Sequence, residues 1–347
     1  MLEHDIYMKR CLELAVLDPG AVSPNPMVGA LIACGDKVIG EGWHQRYGGP
    51  HAEVNAINDV LNNHVNGEEL LQKGRIYISL EPCSHQGKTP PCTDLIIKHG
   101  IPEVIFACRD PFPRVNGQGA EKLRKAGINV TEGILEKEAR HLNRRFFTRI
   151  QKQRPYLILK WAETADGYFA PADGSQQWIS GTQAKQLNHR WRSEEDAVLI
   201  GKNTALADNP QLTTRLWPGK NPKRIILDRN GELPAHLHVF DQTVETIVLT
   251  AEKTDWQPQL KHIALESFDN YLAESIAYQL YLLDIQSVII EGGAKTLALF
   301  LQAGLWDEAR IFKSQTCWGK GLPAPRLHAK AASTQTLGND SLSIYYH

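Results

Sequence analysis

The chain has 347 residues, 42% of them apolar, and sets 38 Lys and Arg against 39 Asp and Glu for a net charge of −1. That length predicts two domains at roughly 100–200 residues each, and this composition excludes wholesale disorder. A near-neutral balance supplies no basic field for nucleic acid, and no run approaches the ~18 apolar residues of a membrane span.

Residues 5–17 carry apolar side chains at helical spacing and stop at the turn Asp18-Pro19-Gly20. Charges in MLEHDIYMKR stand where a signal peptide would place its apolar stretch, so the expected location is cytoplasmic. Residues 27–33 and 37–40 read as a hairpin about Gly35-Asp36. A helix over 51–62, a strand over 75–80, a polar loop with three prolines and a helix over 92–99 follow. A strand at 104–107, a helix at 119–126, a strand at 128–132 and a basic helix at 134–150 complete the first half. The polar stretch Gln151–Pro155 marks a boundary, giving domains 1–150 and 151–347. The second half restarts with a strand at 156–161, then a helix at 182–193 and strands at 197–201, 224–228, 246–250 and 287–291. A helix at 296–302 and a strand at 308–313 end the readable pattern. Both halves are α/β.

Six cysteines stand at 11, 34, 83, 92, 108 and 317. A cytosolic chain of this length needs no disulfides, so each is a buried small hydrophobe or a metal ligand. Cys11, Cys34 and Cys108 lie in apolar runs and read as core. GGPHAEVNAI instead puts His51 and Glu53 at a helix start, and LEPCSHQGKTPPCTDLI brings Cys83 off a strand and Cys92 onto the next helix. One imidazole and two thiolates with a fourth position open form a catalytic zinc set, and they balance the charge of Zn²⁺. Glu53 is then free to move protons. Zinc deaminases use H-x-E followed by P-C-x-x-C with the glutamate as acid/base; here the second cysteine comes nine residues after the first, a variant spacing. His85, between the cysteines, reads as a substrate neighbour. Gly87-Lys88-Thr89 is no phosphate loop, because the preceding LEPCSHQ lacks the first glycine that motif needs.

NPMVGALI, HAEVNAI, EPCSHQGKTPPCTDLII and RDPFPRVNGQGAEKLRKAGI together resemble the deaminase half of the bifunctional riboflavin-biosynthesis deaminase/reductases. KWAETADG, QQWIS, HRWRSEEDAVLIGKNTALADNPQLTTR and IIEGGAKTLALFLQAGLWDE resemble the reductase half, in that family's order. The resemblance implies a cytidine-deaminase-like three-layer αβα domain followed by a dihydrofolate-reductase-like α/β domain using NADPH. It implies that zinc, one ion per chain, is held by His51, Cys83 and Cys92, with Glu53 as the catalytic acid/base. Ala162, Trp178, Thr204, Asp208 and the run Gly293, Ala294, Lys295, Thr296, Leu297, Ala298 and Leu299 take cofactor positions. Asn25, Gln176, Arg192, Leu212, Arg215 and Glu291 take substrate positions, the arginines suiting a phosphate through paired, permanently charged donors. Gln176 stands where the family commonly has serine, and Ala165 where leucine usually precedes Asp166-Gly167. Lys160 is the candidate proton donor of the second half. Residues 314–347 match thinly. The implied substrate is a small pyrimidine ribonucleotide; a homo-oligomer is left open. The rival reading is a nucleic-acid base deaminase with an accessory domain, which a neutral charge balance opposes.

Overall fold

In the computed structural model, described over residues 2–84, 90–112, 116–172 and 177–347, the chain divides into two compact units, Met1–Lys152 and Gln153–His347. No helix among the described residues is long and apolar enough to cross a membrane.

The first unit contains α1 (Leu2–Ala15), β1 (Gly29–Cys34), β2 (Lys37–Trp43), α2 (Ala52–Asn63), α3 (Gly67–Lys73) and β3 (Arg75–Ile78). It continues through α4 (Cys92–Lys98), β4 (Glu103–Phe106), α5 (Gln118–Lys125), β5 (Asn129–Glu132), α6 (Glu136–Leu142) and α7 (Arg144–Lys152). Its five strands lie in the order β2-β1-β3-β4-β5, antiparallel through β1 and parallel from β3 to β5. Alternation along each strand builds the three layers. Ala30, Ile32, Ile76, Ile78, Val104 and Phe106 face α2, α4 and α5, whereas Leu31, Ala33, Tyr77 and Ile105 face α1, α6 and α7.

Three expectations change here. The strand expected at 37–40 runs on to Trp43, because Gly40 and Gly42 let α2 lie directly on it. A Cβ at Gly42 would meet Ala56 N at 2.3 Å and Ala52 O at 2.5 Å. The single helix expected over 134–150 is two helices broken at Asn143. The buried amide of Asn143 accepts from Met27 N and donates to Met27 O, both at 2.8 Å. The second of these helices reaches Lys152, so the first residues of the expected linker are helical.

The second unit contains β6 (Tyr156–Glu163), β7 (Tyr168–Pro171), α8 (Thr182–Glu194), β8 (Ala197–Gly201), α9 (Lys202–Asp208), β9 (Lys223–Leu227) and β10 (Thr246–Thr250). Next come β11 (Asp255–Trp256), β12 (Leu260–Ala264), α10 (Leu272–Leu282), β13 (Ser287–Ile290), α11 (Ala294–Gln302) and β14 (Glu308–Lys313). The chain ends with β15 (Gly321–Pro323), β16 (Ser333–Leu337) and β17 (Asp340–Tyr346). Ten strands form one sheet, β11-β12-β10-β9-β8-β13-β6-β14-β17-β16, whose middle seven are parallel. The apolar helix α10 packs with α11 on one face against Leu157, Leu159, Leu199, Val288 and Ile290. On the other face, α8 and α9 cover Ile158, Val198, Ile200, Ile226 and Ile289. The thinly matching tail is structured: β17 adds antiparallel to β14 and pairs with β16 at the sheet edge.

Candidate active sites

His51 ends the loop before α2 in extended conformation (φ −71°, ψ 165°), which turns its ring toward the start of α4. Its Nδ1 lies 3.7 Å from Cys83 Sγ and 3.3 Å from Cys92 Sγ, and one ligand atom from each of the three falls within 4.8 Å of the others. Cys92 N donates to Cys83 Sγ at 3.3 Å. The Cys92 thiol is the main influence holding Cys83 down at about 4, against the cost of burial, while Cys83 in turn pushes Cys92 above the ordinary thiol range. Two adjacent sulfurs and an imidazole thus share one negative charge, and a divalent cation lets both ionise. This donor set fits zinc.

Glu53 is 4% exposed, and burial followed by the nearby Cys83 charge pushes its carboxyl upward. A carboxyl raised in this way holds a proton more readily than a free one, which suits acid/base work. The two residues line a cavity of about 390 Å³ with Asn25, His44, Asp110, Phe112 and Arg149. His44 donates Nδ1–H to Pro50 O at 2.9 Å, so its Nε2 accepts from Asn25 Nδ2 at 3.2 Å. Burial lowers the His44 pKa, which favours the neutral ring. Glu81 is spent on the scaffold: its carboxylate accepts from Asp110 N, Gly117 N and Ala120 N. His44 and Asp110 went unread in the sequence because nothing local marks them; Asp110, pushed up to about 6 by burial, is a titratable wall of the cavity. Cys11 and Cys108 are buried, bonding to Tyr77 O and Ser79 O, and Cys34 reaches Lys73 O. His85 and Gly87-Lys88-Thr89 lie outside the described residues.

In the second unit a cavity of about 620 Å³ opens at the carboxyl ends of β6, β8 and β13, where parallel sheets place their sites. It brings together Lys160, Ala162, Trp178, Arg192, Thr204, Asp208, Leu212, Arg215 and Glu291. Arg192 Nε and Nη2 bond the two Glu291 oxygens at 2.8 Å each, and Nη1 reaches Thr213 O at 3.2 Å. Burial would raise the Glu291 carboxyl, but Arg192 and Lys160 beside it override that and hold it at about 2. Arg192 is therefore tied to Glu291, whereas Arg215 is exposed and, among the described residues, bonds Gln211 and Thr213.

Three cavity residues of α8 went unread: Lys185, Asn188 and His189 share its face with Arg192 at helical spacing. Asn188 Oδ1 and His189 Nδ1 are buried without a hydrogen-bond partner among the described residues. Their signal was present as 185/188/189/192, although the apolar neighbours Ala184, Leu187 and Trp191 dominate that window. The run Gly293–Leu299 opens α11 beside this cavity rather than lining it. Gly293 takes φ +66°, and a Cβ there would stand 3.0 Å from Thr204 Oγ1. A bare helix start in such a cradle fits a pyrophosphate. Leu297 is wholly buried in the core, so its side chain serves packing. Gln176 lies outside the described residues; Ala165 donates its N–H to Thr316 O at 2.8 Å through backbone that any residue offers.

Comparison with known proteins agrees with this geometry. Residues 1–108 match the cytidine and deoxycytidylate deaminase zinc-binding region, and residues 155–342 match the RibD C-terminal domain. The chain is 41% identical over 320 residues to the riboflavin biosynthesis protein RibD of Aquifex aeolicus (strain VF5), covering 91% of this chain and 88% of that one. Identity to the RibD of Escherichia coli (strain K12) is 35% over 328 residues, covering 90% and 87%. Among solved structures, a diaminohydroxyphosphoribosylaminopyrimidine deaminase/5-amino-6-(5-phosphoribosylamino)uracil reductase from Thermotoga maritima superposes with a TM-score of 0.90 at 39% identity over 99% of both chains. RibD of Acinetobacter baumannii gives 0.89 at 32% identity, again over 99% of both. The chain belongs to the RibD family, the bifunctional enzymes of riboflavin biosynthesis that carry a zinc-binding deaminase domain ahead of a reductase domain.

Proposed function

We propose that the first unit hydrolytically deaminates 2,5-diamino-6-ribosylamino-4(3H)-pyrimidinone 5′-phosphate and that the second reduces the ribosyl group of the product to ribityl. The observation that carries the reading is the convergence of His51, Cys83 and Cys92 beside a buried Glu53 in one cavity. His51 Nδ1 and the two sulfurs would hold one zinc ion per chain, which when bound supplies the Lewis acidity that activates a water. Glu53 takes the proton of that water and passes it to the ring nitrogen and the departing ammonia. Asn25, fixed by His44, contacts the substrate.

In the second unit, NADPH when bound supplies the hydride. The start of α11 at Gly293–Leu299 would hold its pyrophosphate, with Ala162, Trp178, Thr204 and Asp208 along the nicotinamide side. Arg215 suits the substrate phosphate because it is exposed and lines the cavity, and Arg192 supports it while bound to Glu291. Gln176 and Leu212 complete the substrate contacts. Lys160 is the proton source: it lines the cavity, and burial lowers its pKa, so that it gives up a proton more readily. The partners are small molecules, and the reading places the enzyme in the cytoplasm.

Incubating the protein with the pyrimidine nucleotide and resolving products tests this. Without NADPH, ammonia and the uracil nucleotide accumulate; with it, the ribityl product appears. Ammonia released from tRNA and not from the nucleotide would favour a nucleic-acid base deaminase instead.

A further inference from the structure

Four side chains stack through the second unit from its core to the cavity wall. Arg310 Cζ lies 4.5 Å from the Trp191 ring centre, and Trp191 stacks on Phe312 at 5.4 Å and 29°. Lys160 Nζ stands 5.7 Å from the Phe312 ring centre. Strand register explains the column: Arg310 pairs with Lys160 and Phe312 with Ala162, so Phe312 sits one pleat beyond Lys160 on the same face. Phe312 is 1% exposed, and Arg310 is anchored in turn by Glu308 at 2.6 Å and Glu195 at 3.2 Å.

The ammonium at the cavity end differs from the buried cations around it. Arg192, Arg224 and Arg310 all hold carboxylates, whereas Lys160 makes no hydrogen bond and no close ion pair among the described residues. Glu291 at the end of β13 attracts it and Arg192 on α8 repels it. His189 of α8, Asp208 of α9 and Arg215 also line the cavity. A desolvated ammonium with no fixed acceptor is both mobile and easily deprotonated. An aromatic face within about 6 Å opposes both tendencies, since its quadrupole favours the charged form at one place.

We infer that Phe312 is a positioning residue for the reduction: its ring, held from behind by Trp191 and Arg310, keeps the Lys160 ammonium charged and directed at the sugar. The inference rests on the reading of this cavity as the reductase site. Trp191 braces Phe312 against turning away. The unpartnered N–H donors of Lys160 stay available to substrate oxygen.

The test uses the full-length, zinc-loaded protein and follows NADPH consumption on the deaminated nucleotide as a function of pH. Phe312→Leu moves the alkaline limb of kcat toward lower pH by about half to one unit. It leaves deamination and the NADPH dissociation constant as they were. Phe312→Met, whose flexible side chain adapts to irregular core space, gives the same shift if Phe312→Leu folds poorly, and Phe312→Tyr, which keeps the ring, restores the wild-type profile. An unshifted limb in the Leu and Met variants, beside an inactive Lys160→Met, overturns the inference alone. A fully active Lys160→Met overturns the assignment of Lys160 and this inference with it.

Discussion

The two sites settle their charges in opposite ways. In the first unit, two sulfurs, an imidazole and a buried carboxyl crowd together, so that Cys83 pushes Cys92 upward and burial pushes Glu53 upward. In the second, the buried carboxylate of Glu291 is already matched by Arg192, with Lys160 close by. The first arrangement is completed by a ligand and the second by its own chain. Metal should therefore control the first site, and pH the integrity of the second.

Removing a ligand breaks that contrast most severely. His51→Ala, Cys83→Ala and Cys92→Ala should each lose zinc and deamination while reduction of pre-deaminated substrate continues. Cys108→Ala should keep about one zinc per chain, because its buried thiol bonds the Ser79 carbonyl and stands outside the His51, Cys83 and Cys92 group. Metal analysis of the purified variants decides this, and equal zinc loss in Cys108→Ala would break the ligand assignment.

Glu53→Gln comes next. It should retain zinc and fold, yet slow deamination by about 10²–10⁴, the usual worth of general acid/base catalysis. Ammonia release measured beside an unchanged reductase rate checks it, and near-normal deamination would move the proton work to another group.

A smaller effect is expected from Glu291→Gln, read as stability. Arg192 would be left buried with a neutral partner, costing about 2–4 kcal/mol at neutral pH. The folded carboxyl sits at about 2, below its ordinary 4.5, so the pair's contribution is present above 4.5 and lost as pH falls toward 2. Urea midpoints of the two proteins should thus converge across that window. A gap that persists unchanged in acid would show that the cost is steric.

Asn143→Ala gives the smallest change, about 1–2 kcal/mol for two lost bonds to Met27. Because the clamp is neutral, this loss should not vary with pH over the same range, in contrast to Glu291→Gln.

The local sequence marked the His51, Cys83 and Cys92 group that the structure brings together. His51 and Glu53 lie two residues apart at a helix start, and Cys83 and Cys92 flank one loop, so residue type and short spacing carry the chemistry. Alternation and turn residues likewise marked the sheet of each unit, since a strand buried on both faces has to be written in apolar residues. Glycine misled at β2, where Gly40 and Gly42 read as a strand end but admit α2. Asn143 was silent, because a helix break made by a distant backbone leaves no local mark.

Tertiary structure alone decided the second site. Lys160, Arg192 and Glu291 are far apart in the chain, and the parallel order β8-β13-β6-β14 sets them around one cavity with the Phe312 ring packed behind Lys160. The sequence supplied Arg192 and Glu291 through resemblance, yet their pairing at 2.8 Å depends on register and helix docking. The physical reason is range: helix starts, turns and metal ligands close over a few residues, where the chain's own geometry dictates what meets. An ion pair across 99 residues or a ring beneath a lysine exists only after packing has chosen the neighbours.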